Sequence, residues 1–196
     1  ILQKSALPLP AGAEKRRLTA AAVGRLTDQK GFDRLLRVHR QLLAEGLEYD
    51  LWILGEGPDR FALETYIREN HMQDSVRLWG FQDNPYPFLR AADLLVCSSR
   101  YEGFSTVAVE GMILGKPMVT TDCTGMREIL GNSEYGLITD NNDEAFCQGL
   151  RRMLTEPGLL AHYVAQARTR GGDFRRDKLA RATETFLERA YQEKRR

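Results

Sequence analysis

Residues 93–122 read DLLVCSSRYEGFSTVAVEGMILGKPMVTTD. The unbroken apolar run that ends in two serines is the pattern of a strand buried on both faces. Gly103 permits a tight turn, the residues from Ser105 fall into helical spacing, Gly115 stops that helix, and Pro117 leads into a second buried run. Two strands joined by one crossover helix must run parallel, with a right-handed connection.

The same rhythm extends outward in both directions. Upstream, LTAAAVG (18–24), YDLWILG (49–55) and SVRLWGF (75–81) read as strands. Each is followed by a helical segment: one carrying Phe32, Leu35, Leu36, Leu42 and Leu43 on one face, one over FALETYIREN, and a short one over PYPFLRAA. Downstream, a short helix around MREILG (126–131) leads to a sixth strand, YGLIT (135–139). Helical segments then follow at roughly 143–154, 158–169 and 177–193. The expected fold is α/β: a doubly wound, Rossmann-like parallel sheet of about six strands, whose ligands bind beyond the carboxyl ends of the strands. Residues 1–17 read as an interdomain linker or remnant, 18–175 as the Rossmann-like domain and 176–196 as a C-terminal helix.

Composition limits the classes of function. The chain has 196 residues, 42% hydrophobic and 28% charged, enough apolar content for a real core. No apolar run approaches the ~18–20 residues that cross a bilayer. With 28 Lys and Arg against 27 Asp and Glu, the balance argues against a nucleic-acid protein. Residues 168–196 nevertheless hold ten basic and five acidic residues, an excess that suits an anionic partner such as a membrane surface. Three cysteines without a CxxC pair point to a reducing cytosol, and three scattered histidines offer no zinc spacing.

Chemistry gathers on one rim. The first turn of the helix after Gly103 presents free N–H groups and a positive dipole end, which suits phosphate. Glu102 and Glu110 flank that cradle, Ser105 and Glu110 lying roughly 7.5 Å apart along the helix. Carboxylates repel phosphate but accept from hydroxyls, so two of them around a diphosphate fit a nucleotide sugar. Arg25 and Lys30, in GRLTDQKGF after the first strand, supply cations that can stabilise a diphosphate leaving group. The chain has no DxD, so no metal held by that motif is expected.

Together VGRLTDQKGFDRLL, WILGEGPDR, VRLWGFQDN, the 93–122 stretch and GLITDNNDEAF resemble the donor-binding domain of family 4 retaining glycosyltransferases, over about residues 18–190. The resemblance implies one half of a GT-B fold, the carboxyl-terminal one, whose missing N-terminal domain contributes the acceptor contacts. It also implies that this half alone does not turn over. Arg25 and Lys30 match the diphosphate-binding pair, and Glu102 the carboxylate near the transferred sugar. Gly103, Phe104, Ser105 and Thr106 match the loop whose amides meet sugar and phosphate, and Glu110 matches the ribose-binding glutamate. Phe81 and Gln82 fall where the backbone meets the base, with Gly24 at the start of the diphosphate loop. TDCTGMREIL has one Gly where many relatives have a pair, and it stays outside the expected site. The implied donor is a nucleoside-diphosphate sugar, a UDP-sugar before a GDP-sugar, with no metal or other cofactor. The implied setting is the cytoplasm or the inner face of a membrane, in cell-surface polysaccharide or glycolipid synthesis.

Two other readings stay open: a non-catalytic nucleotide-sugar-binding module, and a sugar-nucleotide epimerase of the same architecture. A dehydrogenase is disfavoured. GEGPDR has Arg60 at the third glycine position, and the next strand ends without an acidic residue for a ribose.

Overall fold

The computed structural model describes residues 1–174 and, beyond them, Lys178, Glu184, Thr185, Glu188 and Tyr191. The expected helix at 177–193 and the segment 176–196 lie largely outside the described residues. Six parallel strands form one sheet: β1 (Thr19–Val23), β2 (Asp50–Leu54), β3 (Val76–Leu78), β4 (Leu94–Cys97), β5 (Met118–Thr121) and β6 (Leu137–Thr139). Their spatial order is β3-β2-β1-β4-β5-β6. The chain therefore builds one wing from β1 outward, returns to the middle, and builds the other wing from β4. The crevice opens where the order reverses, between the carboxyl ends of β1 and β4.

Side-chain alternation sorts the core onto the two faces of the sheet. Ala20, Ala22, Leu51, Ile53, Leu94, Val96 and Val119 point to one side. They pack there against α2 (Phe32–Ala44), α3 (Arg60–Glu69) and α7 (Asp143–Thr155) through Leu35, Leu36, Leu63, Phe146 and Leu150. Ala21, Trp52, Leu54, Leu95 and Met118 point to the other. They meet α4 (Tyr86–Ala91), α5 (Thr106–Ile113), α6 (Met126–Leu130) and α8 (Leu159–Gly171) through Phe88, Ala108, Met112, Ile129 and Ala167. The three alanines of β1 let the covering layers approach the middle of the sheet. Gly171 does the same for α5 and α8, since a Cβ there would lie 2.1 Å from the Met112 carbonyl oxygen.

Every expected strand is present, and each expected helix within the described residues is found within a few residues of its expected bounds. Two short elements add to the pattern: α1 (Leu2–Ser5) and a 3-10 turn at Asp28–Lys30. The first 17 residues pack on the domain. Ala13 is fully buried, Lys15 pairs with Asp93 at 2.5 Å, and the Arg17 Nε donates to Asp50 Oδ1 at 2.7 Å.

Candidate functional site

The loops after β1 and β2 touch because two glycines allow it. Gly55 has a φ of 141°, and a Cβ on it would sit 1.9 Å from the Gly24 carbonyl oxygen; one on Gly57 would sit 2.3 Å from that of Leu26. GEGPDR is thus a packed strand-to-helix turn. The β1 loop continues through the 3-10 turn to Gly31, whose left-handed backbone (φ 61°) lies so close to Ser98 that a Cβ would be 2.3 Å from its carbonyl oxygen. Ser98 Oγ donates to the Lys30 carbonyl at 3.0 Å, the Arg100 N–H to the Gln29 carbonyl at 2.8 Å, and Gln29 Nε2 to the Tyr101 carbonyl at 3.2 Å. This docking bridges 72 positions of sequence and brings Lys30 onto Glu102.

Lys30 Nζ donates to Glu102 Oε1, which also accepts from Ser99 Oγ at 2.8 Å. The Glu102 side chain is only 8% exposed and that of Lys30 23%, so the pair is shielded more than a surface bridge. Immediately beyond it, Gly103 and Phe104 are exposed, and Ser105 caps α5 by accepting from the Ala108 N–H at 3.3 Å. The exposed Thr106 begins the helix, so the free amide end of α5 opens beside the Lys30–Glu102 pair. Glu110 lies one turn along, where its Oε1 accepts from Tyr86 Oη at 2.9 Å.

Gly24, Arg25, Glu56, Phe81, Gln82 and Pro85 line a cavity of about 400 Å³ at the ends of β1, β2 and β3. Phe81 is 70% exposed at its edge, while Gln82 is tied down by donating to the Trp79 carbonyl at 2.8 Å. Arg25 is exposed and has no ion pair among the described residues, leaving its guanidinium available. A larger cavity, about 660 Å³, lies at the other end of α5, between Leu2, Ile113, Arg168 and Phe174. Its lining holds no carboxylate and none of the rim residues, so size does not mark the chemistry. Among the described residues no three His, Cys, Asp or Glu side chains converge as a metal cage.

A second layer of charge holds the Glu102 loop. Arg100 donates to both carboxylate oxygens of Asp33, at 2.8 and 2.7 Å, and to the Asp28 carbonyl at 2.7 Å. Burial pushes the Asp33 carboxyl up, but the guanidinium groups of Arg100 and then Arg37 outweigh it and hold the pKa well below the usual carboxylate range. Asn141 joins three loops: Nδ2 donates to the carbonyls of Arg100 (2.8 Å) and Asp122 (3.3 Å), and Oδ1 accepts from the nearly buried Arg34 at 2.6 Å.

All eleven residues singled out in the sequence lie along the carboxyl rim. Lys30, Glu102 and Gly103–Thr106 cluster at the mouth of α5; Gly24, Arg25, Phe81 and Gln82 surround the cavity; Glu110 joins the two through Tyr86, the neighbour of Pro85. Sequence reasoning passed over Tyr86, Ser99, Asn141 and Gly125. Gly125 belongs to the loop set aside, yet its left-handed backbone (φ 81°) lies against the site, where a Cβ would be 2.6 Å from the Gly103 carbonyl oxygen. A glycine between a strand and a helix was the available signal. For Tyr86 there was none.

Comparison with known proteins gives this geometry a family. The family described as "Glycosyl transferases group 1" matches residues 9–170. The chain is 34% identical over 168 residues to the N-acetylgalactosamine-N,N'-diacetylbacillosaminyl-diphospho-undecaprenol 4-alpha-N-acetylgalactosaminyltransferase of Campylobacter jejuni, covering 85% of the chain and 45% of that enzyme. It is 32% identical over 138 residues to the lipopolysaccharide core biosynthesis glycosyltransferase LpsD of Rhizobium meliloti, covering 70% and 39%. The chain thus spans about half, or less, of the length of these relatives. Among solved structures, the pneumococcal O-GlcNAc transferase GtfA in complex with UDP and GlcNAc superposes with a TM-score of 0.78 at 18% identity, over 91% of this chain and 37% of that one. Anabaena HepE in complex with UDP superposes with a TM-score of 0.76 at 18% identity, over 90% and 49%. These likenesses show the fold, the Rossmann-like α/β sheet of one half of a GT-B glycosyltransferase. The matched span runs from before β1 into the last turn of α8 and takes in the whole rim, and the chain belongs to the group 1 glycosyl transferase family.

Proposed function

We propose that this chain is the donor-binding half of a retaining, metal-independent glycosyltransferase, and that the donor is a nucleoside-diphosphate sugar, a UDP-sugar before a GDP-sugar. The observation that carries the reading is the Lys30–Glu102 pair at the amide end of α5, which sets a cation, a carboxylate and free N–H groups around one point. Arg25, Lys30 and the helix amides take the diphosphate and stabilise the charge it gains as its bond to the sugar breaks. Glu102 accepts from hydroxyls of the transferred sugar, with Gly103, Phe104, Ser105 and Thr106 closing around it. Glu110 accepts from the ribose. The cavity beside Gly24 takes the base against the backbone of Phe81 and Gln82.

A second domain facing this rim supplies the acceptor contacts, as the length of the relatives supports. The names of those relatives, a diphospho-undecaprenol glycosyltransferase and a lipopolysaccharide core enzyme, favour a lipid-linked or cell-surface glycan as acceptor. Synthesis at the inner face of a membrane, from the cytoplasm, follows from that chemistry.

Calorimetric titration of UDP into the chain tests the reading. Arg25→Ala and Lys30→Ala should each weaken binding, a charge-assisted hydrogen bond contributing about 1.5–3 kcal/mol. The exposed Arg25 belongs at the low end of that range. Unchanged affinity in both variants defeats the assignment.

A further inference from the structure

Tyr86 opens α4 directly after Pro85, which lines the cavity, and its phenol crosses to α5 to donate to Glu110 Oε1 at 2.9 Å. Its ring packs partly buried against the core on that face of the sheet, so the hydroxyl is held by a fixed body. Burial, and then the bond to Glu110, push the phenol pKa up, and the group stays a donor at neutral pH. Glu110 is itself half-buried on a helix, and its second oxygen, Oε2, has no bond among the described residues. A phenylalanine would fill the same space in the core but would leave Glu110 Oε1 without its donor.

We propose that Tyr86 is the positioning residue of Glu110: by occupying Oε1 it orients the carboxylate so that Oε2 receives the hydroxyls of the donor's ribose. The proposal rests on the ribose role given to Glu110 above and deepens it. An ionised carboxylate can accept from both vicinal hydroxyls through one oxygen, provided that the group does not rotate. Tyr86 contributes to affinity by removing that rotation before the ligand arrives.

UDP and 2′,3′-dideoxy-UDP are titrated calorimetrically into the full chain, Tyr86→Phe, Glu110→Gln and the double variant, with melting curves to verify folding. Tyr86→Phe should weaken UDP about three- to tenfold and leave the dideoxy analogue unchanged. The double variant should bind UDP no worse than Glu110→Gln, because the phenol acts only through that carboxylate. Equal weakening of both ligands by Tyr86→Phe, or full additivity in the double variant, overturns the proposal. Should Glu110→Gln narrow the gap between the ligands while Tyr86→Phe does not, Tyr86 alone loses its role. If Glu110→Gln leaves the gap intact, the ribose assignment falls and takes the proposal with it.

Discussion

The ammonium of Lys30 and the hydroxyl of Ser99 converge on the same oxygen of Glu102. A cation assigned to diphosphate is therefore already engaged by the carboxylate assigned to sugar, and a phosphate that recruits Lys30 competes with Glu102 for it.

Glu102→Gln separates the two demands. The amide keeps an acceptor oxygen but loses the charge, so Lys30 is released to the phosphate while the sugar loses its anionic partner. UDP should bind a few-fold more tightly, in keeping with the ~1 kcal/mol of a partly screened pair, and UDP-sugar more weakly. Calorimetric affinities for the two ligands should move in opposite directions; a parallel change would remove the division of roles.

The glycines of the rim differ in what they tolerate. At Gly55 a side chain meets the Gly24 carbonyl oxygen at 1.9 Å and the backbone is left-handed. Gly55→Ala should cost about 2–4 kcal/mol, read from urea unfolding. A Cβ on Gly103 meets nothing within 4 Å. Gly103→Ala should leave stability within about 0.5 kcal/mol, so any change in UDP-sugar binding there reports on the site itself.

His39 makes the fold sensitive to acid. The ring is fully buried, with Nε2 2.8 Å from Ser75 Oγ and Tyr49 edge-on at 4.6 Å. Burial, helped by the charge of Arg17, lowers its pKa to about 4. The folded state holds the neutral ring while the unfolded chain takes up a proton below about 6.5. The contribution is complete above that pH and is lost progressively as pH falls towards 4, reaching about 3 kcal/mol. Melting temperatures between pH 7.5 and 4.5 should fall more steeply for this chain than for a folded His39→Gln variant. Equal slopes would count against the buried neutral ring.

Asn141 holds the β4, β5 and β6 loops through three bonds, one of them from a nearly buried arginine. Asn141→Ala leaves Arg34 short of one acceptor and the Arg100 and Asp122 carbonyls short of a donor. A loss of about 1–3 kcal/mol in unfolding free energy is expected. UDP-sugar affinity should fall with it, because Arg100 leads into Glu102. Stability unchanged by the substitution would mean that water replaces all three bonds.

The strands were legible because a parallel strand buried on both faces reads as a plain apolar run, with Gly24 and Gly55 marking where two runs end and Pro117 where another begins. The rim was legible by topology: if the strands are parallel, every loop that follows a strand must share one edge, so Arg25, Lys30 and Glu102 fall on the same side. Which atoms touch was not legible. Lys30 and Glu102 are 72 positions apart and Arg34 and Asn141 107, and such pairs depend on strand order and on how closely glycine backbones approach. Gly125 shows the limit. Only its contact with Gly103 reveals that it lies against the candidate site.

The reversal of strand order between β1 and β4 carries a consequence for how such a protein diversifies. One wing, β1 to β3, furnishes the hollow beside Phe81; the other, β4 to β6, furnishes the serine-capped helix and Glu102. The wings meet at two bridges, Lys30 to Glu102 and Tyr86 to Glu110. Variation is thus free away from those bridges and constrained at them, and the frame adjusts as two linked halves.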